Sequence, residues 1–328
     1  MKKSLIAIVA SALVLSGCTS DSSDSSGTSG TSGTVETTSI TTSVAAADGA
    51  FPRTVTLDDS SITLESKPER IAVLTPEAAS LVLPIAGADR VVMTAEMDTA
   101  DEETAALASQ VEYQVKNGGS LDPEQVVAAD PDLVIVSARF DTEQGTIDIL
   151  EGLNVPVVNF DADAWGDIDA ITKHLEIVGE LVGEEDKAAE AIAEIDANRI
   201  DIDKPATSPT VLTLMQRGPR QMVMPESAML NGLIREAGGT PVVDSLGAVG
   251  TITADPEQVV AMAPEIIIIQ DFQGKGRENF ADFLSNPALA NVPAIENDKI
   301  FYADTVTTGV TAGTDITTGL QQVAEMLS

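Results

Sequence analysis

One cysteine, one histidine, one tryptophan and two tyrosines are all that the 328 residues hold of those types, and aromatic residues amount to 3%. A lone cysteine excludes an internal disulfide framework. A lone histidine leaves too few nitrogen ligands for a zinc or manganese site and no second histidine for a metal pair. No Gly-x-Ser-x-Gly elbow occurs, and Gly274-Lys275-Gly276 lacks the spacing of a phosphate loop. Basic residues are scarce as well: 18 Lys and Arg face 52 Asp and Glu, for a net charge of −34. That balance excludes nucleic acid as a partner, which requires a basic footprint. It fits either adaptation to salt or simply an acidic surface. The expectation is a non-enzyme with no catalytic residues, no metal site and no cofactor of its own.

The N-terminus reads as an export signal. Lys2-Lys3 precede the apolar stretch 5–15, which falls short of the roughly 20 apolar residues that cross a bilayer. Leu15-Ser16-Gly17-Cys18 resembles a bacterial lipobox, in which cleavage after residue 17 leaves Cys18 to carry lipid. Residues 1–17 are thus expected to be a lipoprotein signal peptide. Residues 18–50 are mostly Ser, Thr, Gly and Asp, the composition of a flexible tether. The folded part is expected outside the cytoplasmic membrane, held to it by the lipid.

An internal duplication organises the rest. Asp122-Pro123-Glu124-Gln125-Val126-Val127-Ala128, then Pro131 and an apolar run, recurs 133 residues later from Asp255, with Pro264 in the place of Pro131. Nine of the eighteen positions in 121–138 are identical in 254–271. Asp-Pro-Glu is a helix start: an N-cap, a residue suited to the first turn, and an acid favoured by the dipole. The second proline ends that helix, and the β-branched run after it predicts a strand buried on both faces. Two copies predict two similar α/β lobes with mostly parallel sheets, at 51–164 and 200–328. Between them, Ile168, Ile171, Leu175, Val178, Val182, Ala189, Ile192 and Ile195 recur at helical spacing, predicting one long linking helix over 165–199. Gly179 and Gly183 are the places where it would kink or break. Thr75 is the expected cap of the first lobe's opening helix, and His174, beside Lys173, is expected to face solvent.

The ordered set Pro68-Glu69-Arg70-Ile71-Ala72-Val73-Leu74, Gly87-Ala88-Asp89-Arg90-Val91-Val92, Pro131-Asp132-Leu133-Val134-Ile135, Ala237-Gly238-Gly239 and Asn286-Pro287-Ala288-Leu289 resembles a known family across 51–328. It is that of the helix-hinged substrate-binding proteins of ABC importers for iron-siderophores, haem and cobalamin. The resemblance implies a ligand in the cleft between lobes, small cleft motion, and delivery to an ABC permease and its ATPase by a monomer. It also implies a glutamate six residues before the glycine that closes the first helix of each lobe. Here Leu81 and Gly232 stand at those positions, which leaves Glu77 and Glu226 as candidates for permease docking.

Ligands of open α/β sheets bind outside the carboxyl ends of the strands. The scarce residue types gather in those loops: Arg139 and Phe140 after one repeat strand, Phe272, Lys275 and Arg277 after the other, with Arg217 and Arg220 around Gly218-Pro219 and Trp165 after Asp161. Arginine offers a planar charged fork and aromatic rings a stacking surface, which suits an anionic ferric siderophore. Haem is the nearest alternative and needs an axial ligand, for which Tyr113 is the candidate. Cobalamin, or in a different class a surface interaction module without transport, are the other readings.

Overall fold

A polar turn between two short alternating segments makes the first element a hairpin: β1 (Arg53–Thr56) pairs antiparallel with β2 (Ser61–Leu64). The computed structural model describes residues 50–328 apart from 58–59, 117–120, 139–140, 163, 200–201 and 248–249. The signal peptide, the tether and Cys18 lie outside the described residues.

The first lobe alternates strand and helix: β3 (Ile71–Val73), α1 (Pro76–Ala86), β4 (Val91–Ala95), α2 (Glu102–Ala108), β5 (Tyr113–Val115), α3 (Pro123–Ala128), β6 (Leu133–Val136), α4 (Asp141–Gly152) and β7 (Val157–Asn159). Its five strands run parallel in the order β5-β4-β3-β6-β7. Thr75 occupies the N-cap position of α1 but does not cap it. Its hydroxyl oxygen accepts from the backbone N–H of Ser137 instead, at 3.1 Å.

The expected linking helix is two helices, α5 (Ile168–Val182) and α6 (Glu185–Arg199). Gly183 closes α5 in the left-handed conformation at φ +66°, a turn that glycine makes without steric cost. The chain then doubles back. Arg199 at the end of α6 reaches Asp169 at the start of α5, 2.7 Å from Nη1 to Oδ1, so the pair forms an antiparallel hairpin. His174 is on the buried face of α5 at 3% exposure, its ring tilted against Trp165 with centroids 4.3 Å apart, so the expected solvent-facing placement is corrected.

The second lobe comprises β8 (Thr210–Arg217), β9 (Arg220–Val223), α7 (Met229–Glu236), β10 (Thr240–Pro241), β11 (Ile252–Thr253), α8 (Pro256–Met262), β12 (Ile266–Asp271), α9 (Gly276–Leu284), α10 (Pro293–Glu296), β13 (Ile300–Asp304), α11 (Thr305–Thr308) and α12 (Ile316–Leu327). Its sheet runs β11-β9-β8-β12-β13, with β10 also beside β8. The β8–β12–β13 half is parallel, while β9 and β11 join antiparallel.

Both copies of the repeat fold as the sequence predicts. Asp122 caps α3 by accepting from Glu124 N–H at 2.9 Å, and Asp255 caps α8 by accepting from Glu257 N–H at 2.8 Å. β6 and β12 follow, each lying beside its lobe's first central strand. Their side chains alternate between two cores. Leu133, Ile135, Ile266 and Ile268 join a cluster that includes α1, α5, α7 and α12 and reaches both sheets. Val134 and Val136 face the outer layer of lobe one, and Ile267 and Ile269 that of lobe two. A helical layer is therefore shared by the two sheets.

Candidate functional site: the strand ends of the two lobes

In lobe one the carboxyl ends of the strands are fastened to each other. Leu74 N–H donates to Ile135 O (2.9 Å), Ser137 N–H to Thr75 Oγ1, and Ala138 N–H to Asn159 Oδ1 (3.0 Å). Ser137 is fully buried and its hydroxyl accepts from the indole N–H of Trp165 at 3.0 Å. Arg139 and Phe140, directly downstream, lie outside the described residues.

In lobe two, β8, β12 and β13 end side by side because they are parallel and in register, with Asp271 opposite Asp304. Asp271 Oδ1 accepts from Gly276 N–H at 2.7 Å, which folds the 272–275 loop back onto the strand end and starts α9. This presents Phe272 (38% exposed) and Lys275 at the sheet's end. The guanidinium of Arg277 stacks over the ring of Tyr302, 4.5 Å from its centroid. Beside them, β8 and β9 form a hairpin in which Arg217 and Arg220 face each other across the ladder, both exposed. Gln221 Nε2 donates to Asn279 O, tying that hairpin to α9.

The pairing of the cations separates two groups. Arg53, Arg90, Arg199 and Arg235 each hold an acid: Glu185, Glu184, Asp169 with Glu236, and Asp244. The Arg235 guanidinium is held above its ordinary range chiefly by the Asp244 hydrogen bond. Arg217, Arg220, Lys275 and Arg277 have no carboxylate partner among the described residues.

The remaining predicted residues lie elsewhere. Trp165 is 1% exposed, edge-on to Phe160, and offers no open face to a cleft. Tyr113 opens β5 at the outer edge of its sheet, over half exposed and separated from β3 by β4. Glu77 is 4% exposed, whereas Glu226 is on the surface. Leu81 is fully buried, and a Cβ at Gly232 would lie 2.0 Å from Gly166 O, so neither position where the resemblance implies glutamate offers one to a partner.

Direct lobe-to-lobe contacts were not anticipated from the sequence. Thr311 Oγ1 donates to Thr99 O at 2.9 Å, with the two hydroxyls 3.1 Å apart. Gly313 sits so close to α1 that a Cβ there would fall 2.8 Å from Ser80 O. A run of Thr and Gly such as 307–314 carries no periodic pattern, so nothing local marks it as a seam. Among the described residues no helix is long and apolar enough to cross a membrane.

Two α/β lobes, one with a parallel and one with a mixed sheet, over a shared helical layer and with chemistry gathered at the strand ends, define a two-lobed binding protein. Residues 71–307 match the periplasmic binding protein family, and the chain belongs to it. Among curated proteins, it is 25% identical over 288 residues to the ferric enterobactin-binding periplasmic protein FepB of Escherichia coli O6:H1, covering 81% of this chain and 87% of that one. It is 32% identical over 157 residues to a cobalamin-binding protein of Halobacterium salinarum, covering 46% of this chain but only 40% of that relative's length. Among solved structures, the Fe3+-hydroxamate transport system protein of Saccharomonospora viridis superposes with a TM-score of 0.68 at 20% identity, over 85% of this chain and all of that one. The haem-binding protein RhuT of Roseiflexus sp. RS-1 gives 0.62 at 24% identity, over 78% and 99%. At these identities the structures show the shared fold.

Proposed function

We propose that this protein captures a ferric siderophore between its lobes, outside the cytoplasmic membrane, and delivers it to an ABC permease driven by its ATPase. It acts as a monomer tethered through lipid on Cys18. The observation that carries the ligand class is the set of strand-end cations, Arg217, Arg220, Lys275 and Arg277. In a chain with 52 acidic residues, these four cations gather at one sheet end, beside Asp271 and Asp304, with no carboxylate partner among the described residues. An anionic chelate meets charge-assisted hydrogen bonds there, and the exposed ring of Phe272 adds a stacking surface. The likeness to a ferric enterobactin-binding protein supports the same class. Haem is less well supported, because Tyr113 lies on the outer edge strand of the first lobe's sheet, separated from its central strand by β4. For docking to the permease, Glu226 is the accessible acid of the two candidates and Glu77 is enclosed.

The test is titration of the full chain with ferric catecholate and hydroxamate siderophores, haemin and cobalamin, followed by calorimetry and by the emission of Trp165, the only tryptophan. A ferric siderophore is expected to saturate the protein. The double substitution Arg217→Ala, Arg220→Ala should weaken it by about tenfold or more, since one charge-assisted hydrogen bond contributes about 1.5–3 kcal/mol. Haemin binding with a Soret shift lost in Tyr113→Phe would overturn the siderophore reading in favour of haem. Binding of nothing in the panel would point to an interaction module.

A further inference from the structure

The one tryptophan is buried in the core against Phe160 and His174, and it also lies at a junction between the lobes. Its indole N–H reaches back to Ser137 Oγ, and Ser137 N–H is held by Thr75 Oγ1, so Trp165 is bonded to the cleft end of β6 and, through Ser137, to that of β3. The next residue, Gly166, meets lobe two at backbone distance. Its carbonyl occupies the space a Cβ of Gly232 would take, at 2.0 Å, and its own Cβ would fall 2.8 Å from Ser227 O. Gly232 lies on α7 beside Asn231, which is fully buried. Asn231 Oδ1 accepts from Thr213 Oγ1 of β8 at 2.8 Å, and its amide donates to Pro225 O at 2.7 Å. β8 is the strand that ends in Arg217. An unbroken path of hydrogen bonds and van der Waals contacts thus runs from the strand ends of one lobe to the central strand of the other.

We propose that Trp165 is a positioning residue: with Gly166, Gly232 and Asn231 it forms a strut that couples the ligand-facing end of β6 in lobe one to α7 and β8 in lobe two. The assignment of the strand ends as the ligand site rests on the reading above, but the strut itself does not. The interlocked glycines leave no slack, because atoms already in contact cannot approach further. A displacement of Ser137 is therefore transmitted through the indole to α7 rather than absorbed. The absence of a side chain at position 232 is what admits the Gly166 carbonyl. On this view glycine there is a packing requirement of the strut.

Coupling of this kind is reciprocal, so it can be tested from both ends without any ligand. In the full chain, Ser137→Ala removes the indole's acceptor while adding no bulk. Hydrogen–deuterium exchange of 229–236 should then rise by about tenfold, with a red shift of Trp165 emission. From the other end, Thr213→Val removes the donor to Asn231 at nearly constant volume, and exchange of 133–138 should rise. Gly232→Ala should do the same more strongly, while Gly152→Ala, whose Cβ would meet nothing within 4 Å, should leave both segments unchanged. If Ser137→Ala shifts the emission but exchange at 229–236 stays at the wild-type rate, Trp165 is a local core residue and the proposal fails. It fails equally if the Thr213→Val effect stops at α7. Absence of siderophore binding would sink the ligand reading and leave these exchange results standing.

Discussion

Arg90 shows what one cation does when it is committed to structure. It is 7% exposed, and its guanidinium donates to Pro68 O at 3.0 Å, Val182 O at 2.8 Å and Glu184 Oε1 at 3.2 Å. Lys67 adds a bond to Gly183 O at 3.1 Å and Arg53 one to Glu180 O at 2.7 Å, so three cations meet the carbonyl end of α5, where the dipole favours positive charge. Removing Arg90 leaves these buried acceptors unsatisfied, and Arg90→Ala should lower stability by about 3–5 kcal/mol in denaturant melts. Glu184 receives two of these cations, Arg90 and Lys67, and Lys187 besides. The Lys67 hydrogen bond above all, opposed by burial and helped by Lys187, holds its carboxyl below the usual value near 4.5. A depressed carboxyl binds fewer protons in the folded state than in the unfolded one. Its contribution is therefore complete above that value and is lost as pH falls through it towards the folded pKa. Thermal melts of wild type and Glu184→Gln should differ at pH 7 and converge below about pH 4.5. A gap that is constant with pH would show that Glu184 contributes by shape alone.

At the scale of elements, the break at Gly183 decides how the lobes are joined. A Cβ there would fall 2.9 Å from Phe51 Cε2 in addition to adopting φ +66°, so Gly183→Ala should cost about 1–2 kcal/mol in a denaturant melt. An unchanged midpoint would mean that the turn relaxes freely. The same junction marks the limit of what the sequence discloses. The repeat was legible because its signals are local: an aspartate cap, a proline in the first turn, a second proline, then a β-branched run. The apolar spacing of 168–195 was equally visible, but it continues across the turn, so periodicity alone joined two antiparallel helices into one. His174 was misplaced for a related reason, since Phe160 and Trp165, which enclose it, come from outside its helix. β10 and β11 have two residues each, too few for any alternation to register. Of the candidate site, the positions of Arg217, Arg220, Phe272 and Arg277 at strand ends followed from the strand rule. That the three arginines have no acid partner among the described residues did not, because pairing depends on which surfaces the fold brings together. The seam at Thr99 and Thr311 joins residues 212 positions apart, beyond any local signal. Thr311→Val removes that hydroxyl, and small-angle scattering should then show a slightly larger radius of gyration if the clasp holds the lobes together.

For the whole molecule, two features pull in opposite directions. The helical layer between the sheets belongs to one continuous apolar core, so neither lobe has a complete core of its own and unfolding should be a single cooperative transition. Against that cohesion stands a net charge of −34, which raises the energy of the compact state through self-repulsion. The strand-end cations relieve little of it, being few and gathered at one place. Salt should therefore matter more than for a protein of balanced charge: the Debye length falls from about 10 Å at 0.1 M to about 3 Å at 1 M, and like charges across the surface cease to interact. The melting temperature is expected to climb steadily from 0.1 to 1 M sodium chloride at pH 7, by about 2–4 °C for each kcal/mol of repulsion removed. Solute exclusion raises melting temperatures too, but it does not depend on protein charge. Repeating the series near the sequence pI of 4.1, where repulsion is largely cancelled by protonation, separates the two. If repulsion is the cause, the salt increment shrinks there. If the increment is the same at both pH values, the acidic surface is not what salt acts on.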